Sequence, residues 1–166
     1  VSIKPAESLT VSAALKSQTT HTFSSNISEV DRVLGPGITR GGVYLLAGQP
    51  GIGKSTLLTQ IAIKSSQSVL YVCSEENPAQ VATRINRLSN TKTDHIQLLN
   101  TSIVENIIST IHDLPVQQTG LRSKNYDLII VDSIQSVATA TNPTTAGSPS
   151  QIRDSATYLI QAAKEN

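Results

Sequence analysis

Apolar residues in this chain fall into short continuous runs and longer periodic ones. The continuous runs are Val43-Tyr44-Leu45-Leu46-Ala47, Ser68-Val69-Leu70-Tyr71-Val72-Cys73, Ile96-Gln97-Leu98-Leu99 and Leu128-Ile129-Ile130-Val131. Each reads as a strand, and near-continuous apolar character is the pattern of a parallel sheet covered on both faces. The periodic runs follow the strands. Leu57, Leu58, Ile61 and Ala62 form one stripe; Val81, Ile85 and Leu88 a second; Ile103, Ile107, Ile111 and Leu114 a third; Ile152, Ala156, Leu159, Ile160 and Ala163 a fourth. Helical spacing gives each segment one core-facing side. Strand followed by helix, repeated, predicts an α/β fold with a mostly parallel sheet and helices on both faces.

Boundary signals refine this outline. Residues 1–20, rich in Ser, Thr, Ala and Lys without clear periodicity, read as a linker or tether, with Leu9-Thr10-Val11 as a brief edge strand; the domain spans 21–166. Asn26 with Glu29 three positions on predicts the start of a short helix through Ile27, Val30 and Leu34, stopped by Gly35-Pro36-Gly37. Asn77-Pro78, Ser102 with Glu105, and Ser148-Pro149 with Gln151 mark three further helix starts. The span from Pro115 to Tyr126, with Arg122 and Lys124, reads as a solvated loop, and Ser136 to Pro149 as a long mobile loop at the mouth of a site. Asp31, Arg32, Arg84 and Arg87 read as solvated helix faces. The chain stops inside or at the end of its last helix, and a complete core is expected to continue with another strand.

The 166 residues, 38% hydrophobic and 15% charged, suit one globular domain. The formal net charge of +1 gives no argument for nucleic-acid binding. No apolar run has the length of a membrane span and the first residues lack the order of a secretory leader, so a cytoplasmic location is expected. Cys73, the single cysteine, permits neither an internal disulfide nor a cysteine zinc cluster and reads as a small buried residue. His21, His95 and His112 stand apart from one another and from other ligand types. With no Met, the sequence reads as an excised piece.

Chemistry concentrates at the ends of the predicted strands. Gly48-Gln49-Pro50-Gly51-Ile52-Gly53-Lys54-Ser55 matches G-x-x-x-x-G-K-[ST] at every specified position and lies between a strand and a helix, the context a phosphate-binding P-loop requires. Its glycines allow backbone N–H groups to face phosphate oxygens at a helix N-terminus, with Thr56 next in that first turn. Lys54 is expected to neutralise the β- and γ-phosphates, and Ser55 to ligand a magnesium ion. Glu75 and Glu76 follow the second strand, where a carboxylate can orient water for attack on a γ-phosphate; dipole-favoured acids at a helix start are the alternative. Glu75, first off the strand, is preferred over Glu76. Asp132 ends the last strand in a Walker B pattern and is the second expected magnesium holder. Ser133 and Gln135 are candidate sensors of the γ-phosphate.

These motifs in this order resemble the RecA-like ATPases, and most closely the bacterial RadA/Sms DNA repair family. The resemblance rests on Asp31 to Gly35, Gly48 to Gln60, Val69-Leu70-Tyr71 with Glu75-Glu76, Gln80-Val81-Ala82 with Arg84 and Arg87-Leu88, Asp132 to Gln135, and Gly147 to Arg153 with Ala156, Tyr158 and Leu159. It covers about residues 22 to 166. It implies a RecA-like P-loop domain, incomplete on its C-terminal side, that uses ATP and Mg2+. It further implies a DNA-dependent ATPase that processes recombination intermediates by branch migration or helicase action on single-stranded or branched DNA, as a homo-hexamer working with a RecA-type recombinase. The family's four-cysteine zinc finger, Lys-Asn-Arg-Phe-Gly motif and Lon-protease-like domain lie outside this sequence. Its triple glycine reads Gly35-Pro36-Gly37 here, and Ser74 stands where a Gly usually precedes the paired acids. A KaiC-like signalling ATPase and a non-hydrolysing nucleotide-binding module are the alternative functions.

Overall fold

A computed structural model describes residues 8, 10–13, 21–35, 37–112 and 126–165. Its elements, in chain order, are β1 (Thr22–Phe23), α1 (Ser28–Leu34), β2 (Ile38–Thr39), α2 (Lys54–Lys64), β3 (Val69–Cys73), α3 (Pro78–Leu88), β4 (Ile96–Leu99), α4 (Val104–Ile111), β5 (Leu128–Asp132) and α5 (Pro149–Glu165). Strands β4, β3 and β5 form a parallel sheet in that order, with β3 in the middle. All five residues of β3 are buried, as its unbroken apolar run requires.

Side chains alternate across this central strand, and each face is covered by two helices. Val69, Tyr71 and Cys73 pack with Ala62 of α2, Val81 and Ile85 of α3, and Ile130. On the other face, Leu70 and Val72 pack with Val104 and Ile107 of α4 and with Val137, while Leu159 of α5 closes the cluster. The result is a three-layer α/β/α fold, the RecA-like P-loop type that the strand–helix order predicts. A separate antiparallel pair, β1 with β2, precedes the P-loop. Gly37 sits in that pair at φ +119°, and a Cβ there would stand 2.5 Å from the Phe23 carbonyl oxygen, so only glycine fits.

Several expectations are corrected. Val43–Ala47 forms no strand: the segment pairs with nothing among the described residues, and Leu45 is 81% exposed. An apolar run becomes a buried strand only when a neighbour completes its ladder, and β5 forms its ladder with β3 alone among the described residues. Helix α1 is capped at Ile27 without a side-chain bond; Asn26, at φ 55°, instead donates its amide to the Lys64 carbonyl at 2.6 Å. Asp31 accepts from Ser24 and the Ser25 amide, and those bonds, led by Ser24, hold its carboxyl below the ordinary range. Helix α4 likewise begins after Ile103 with no side-chain cap, and Glu105 accepts from the Ala140 amide at 3.1 Å in place of a capping-box bond. Residues 11–13 are helical, whereas the expected edge strand began at Leu9, which lies outside the described residues. Outside them too lie most of the tether and the loop carrying Arg122 and Lys124.

The Ser136–Pro149 segment is tied down. Buried Gln151 accepts from the Thr139 amide at 2.9 Å and donates to the carbonyls of Asn142 at 2.7 Å and Thr144 at 3.1 Å. One carboxamide thus satisfies backbone groups that an irregular segment cannot satisfy by itself.

Cys73 meets its expectation as a buried residue. Burial pushes its thiol up to about 11 from 9.0. Near pH 8 the native thiolate fraction is therefore about a hundredfold below that of the unfolded chain, since two pKa units separate them. The neutral thiol's contribution to stability is fully present below pH 9 and is lost as pH rises from 9.0 to about 11. Labelling by a thiol-specific disulfide reagent at pH 8 is expected to be at least a hundredfold slower in the native than in the denatured protein. Comparable rates would show that the β3 end is open.

Candidate nucleotide site

The paired strand ends create the site. Parallel register sets Cys73 opposite Asp132, so β3 and β5 finish together. The Ser74 amide donates to the Asp132 carbonyl at 3.3 Å, and the Ser74 hydroxyl donates to the Ser133 carbonyl at 3.1 Å. Ser74, where the resembled family usually has Gly, therefore ties the acidic turn to the segment after β5. Helix α3 then starts at once, with Asn77 as a full cap: its side chain accepts from the Ala79 amide while Gln80 reaches back to the Asn77 amide. This capping box fixes where Glu75 and Glu76 leave the strand.

The glycine-rich loop closes around its own lysine. Gly51 and Gly53 adopt φ of +76° and +100°, left-handed values with open space where a Cβ would stand. Helix α2 begins at Lys54 after Gly53, and no side chain caps its first turn. Lys54 Nζ donates to the carbonyls of Gly48 and Gln49, each at 2.9 Å. An ammonium has three N–H donors, so one remains for a ligand. An uncapped helix start, a positive charge and glycines that admit close approach suit a phosphate group. The residues thus fit a nucleotide.

The acids differ in their surroundings. Glu75 is exposed and makes no hydrogen bond or ion pair among the described residues. Glu76 is bound by Arg84 of α3. Asp132 Oδ2 accepts from the Tyr71 hydroxyl at 2.8 Å and lies 3.8 Å from Arg84 Nη2. Its Oδ1 takes no partner among the described residues, and neither does the Ser55 hydroxyl. Two oxygen donors without protein partners, one anionic, suit a small hard cation such as magnesium. Ser133 and Gln135 lie in the turn after β5, where the Ser133 amide donates to Ser136 Oγ at 3.4 Å.

Arg84 was expected to be solvated, yet its side chain is 13% exposed and bonds to residues of α2, β3 and the acidic turn. Its Nε donates to Thr59 Oγ1 at 3.0 Å, and Thr59 donates to the Ser55 carbonyl at 2.7 Å. Its Nη2 donates to the Tyr71 hydroxyl at 3.3 Å. Burial is the largest single influence and opposes its charge, but the bonds and charges of Glu76 and Tyr71 together outweigh it and raise the guanidinium pKa. Burial, followed by the bond and charge of Asp132, raises the Tyr71 phenol beyond the ordinary tyrosine range, so it stays neutral and can donate. Sequence reasoning missed both residues. The available signal was spacing: Gln80, Arg84 and Arg87 recur at i, i+4 and i+7, and with Glu76 they line one cavity.

A P-loop at a helix start, beside an acid ending a parallel strand, defines a nucleotide-binding α/β protein of the RecA-like class. Residues 10–162 match the family described as AAA domain. The chain belongs to that family. It is similar to the DNA repair protein RadA of Helicobacter pylori, 39% identical over 86% of this chain and 30% of the relative. It is also similar to that of Brucella abortus, 42% identical over 85% and 30%. That of Mycobacterium tuberculosis is 37% identical over 99% and 33%. The chain thus spans about a third of the length of these relatives. No described helix is long and apolar enough to cross a membrane, and no group of three metal-ligating side chains occurs among the described residues.

Proposed function

We propose that this chain is the ATP-binding and ATP-hydrolysing segment of a DNA-dependent ATPase in recombinational repair. The observation that carries the reading is the Lys54-centred loop at the start of α2 together with Asp132 at the end of β5. Lys54, with the backbone of residues 48–56, would hold the phosphates, and Ser55 and Asp132 would hold magnesium. That ion, when bound, offsets phosphate charge. Glu75 orients water, a role supported by its lack of other partners, whereas Glu76 is already engaged by Arg84. Ser133 and Gln135 contact the γ-phosphate region. Action on single-stranded or branched DNA, assembly as a homo-hexamer and cooperation with a RecA-type recombinase belong to the same reading, and the relatives' name, DNA repair protein RadA, supports its DNA-repair part.

Phosphate release from magnesium-ATP, with and without single-stranded DNA over a range of protein concentrations, tests it. Stimulation by DNA that steepens with concentration is expected. Turnover indifferent to DNA would favour a KaiC-like signalling ATPase, and binding without turnover at any concentration a nucleotide-binding module. Glu75→Gln is expected to lower turnover by about a hundredfold to ten-thousandfold, the usual contribution of a positioned proton acceptor. Glu76→Gln should cost less; the opposite ranking would reverse their roles.

A further inference from the structure

Arg84 makes contacts to three separate parts of the site, and no other described side chain does. Through Thr59 it reaches the Ser55 carbonyl in the first turn of α2. Through Tyr71 it reaches Asp132 on β5, and directly it grips Glu76 in the acidic turn. Thr59 and Tyr71 each accept from the guanidinium and pass their own proton onward, so both hydroxyls are fixed in direction. A guanidinium suits this task because its planar fork offers several donors at set angles. We propose that Arg84 is a positioning residue that couples metal binding to nucleotide binding: it orients Asp132 and the Ser55 turn together. The inference rests on the reading of Ser55 and Asp132 as the magnesium holders.

An alternative effect of Arg84 has the opposite sign. A cation 3.8 Å from Asp132 repels a metal ion, so removing it could tighten metal binding. The Glu76 ion pair offsets this charge, and replacing both partners keeps the net charge constant. The variant Arg84→Met with Glu76→Gln therefore separates orientation from charge.

The measurement is the affinity of the whole chain for a fluorescent ATP analogue in magnesium and in EDTA, with folding monitored by circular dichroism. The wild type should bind more tightly in magnesium. The double variant is expected to lose at least tenfold in that ratio while its affinity in EDTA stays within about twofold, because the P-loop contacts remain. Tyr71→Phe should reproduce the portion carried through Asp132, and adding Arg84→Met to it should then have a smaller effect than in the wild type. Arg84→Lys should restore part of the ratio. An unchanged ratio, an equal loss in both conditions, or a raised ratio each overturns the inference. If the Arg84 variants do not fold, Tyr71→Phe decides, and an unchanged ratio in it is fatal. A wild type that binds no nucleotide sinks the P-loop reading, and one that binds without help from magnesium sinks the metal reading; the inference falls with either, and the wild-type control tells which.

Discussion

Lys54→Ala is expected to lower affinity for magnesium-ATP by about a hundredfold to ten-thousandfold. The side chain is the only cation at the loop among the described residues, and its ammonium already sits against the Gly48 and Gln49 carbonyls at 2.9 Å. Charge-assisted hydrogen bonds contribute about 1.5–3 kcal/mol each. The one N–H that the loop carbonyls leave free contributes about 1.5–3 kcal/mol at a phosphate. Loss of the two loop bonds adds about as much again, because the free loop then samples conformations that do not fit a phosphate, so the total is about 3–6 kcal/mol, or two to four powers of ten in affinity. Titration with a fluorescent ATP analogue checks it. Lys54 lies outside the buried core, so the melting temperature should stay within a few degrees. Near-wild-type binding by a folded Lys54→Ala protein would mean that the loop is not the phosphate site.

The second large effect falls on Tyr71, which serves the core and the site together. Its ring is fully buried among Ala62, Val81, Ile85 and Ile130, joining α2, the sheet and α3. Truncating a buried aromatic to Ala costs about 3–5 kcal/mol through lost transfer energy and the cavity left behind. Total stability of a domain is only about 5–15 kcal/mol, so Tyr71→Ala should lower the melting temperature by about 10 °C or more. Tyr71→Phe keeps the ring and removes the hydroxyl, leaving Asp132 and Arg84 each short of a partner, which costs about 1–3 kcal/mol. Thermal melts of the two variants should rank wild type, Phe, Ala. If Phe melts as low as Ala, the hydroxyl relay outweighs packing; if neither shifts, Tyr71 does not join the layers.

The two predictions draw on different kinds of information. Lys54 is legible in the sequence because the P-loop is a local device: eight consecutive residues set the turn, the glycine conformations and the helix start. The cap at Asn77 is legible for the same reason, since its partners lie two and three residues away. Strands β3, β4 and β5 were readable because apolar runs of that length bury themselves in a covered parallel sheet. Asp132 followed from its position at the end of one.

Local signals failed where a competing long-range partner was stronger. Asn26 and Glu105, both expected at helix starts, bond instead to Lys64 and Ala140, 38 and 35 positions away. The Ser136–Pro149 segment looked unconstrained because its anchor, Gln151, resembles any helix-start polar residue until its burial is known. Val43 to Leu46 carries the same apolar pattern as β3 but has no ladder among the described residues, since pattern measures the capacity for burial and a neighbour supplies it.

The sequence by itself determined the chain order of β3, β4 and β5 with the helices between and after them, the phosphate loop, the acids at the strand ends and the membership of a nucleotide-binding class. Each depends on chemistry within a few residues or on the length of an apolar run. Only the tertiary structure decided that Arg84 is a buried link, that Glu76 is the acid it holds, and that Tyr71 joins them to Asp132. Those contacts span 8, 13 and 61 positions. They exist because parallel register brings Cys73 beside Asp132 and packs α3 over the same strand ends, and no local periodicity encodes that meeting.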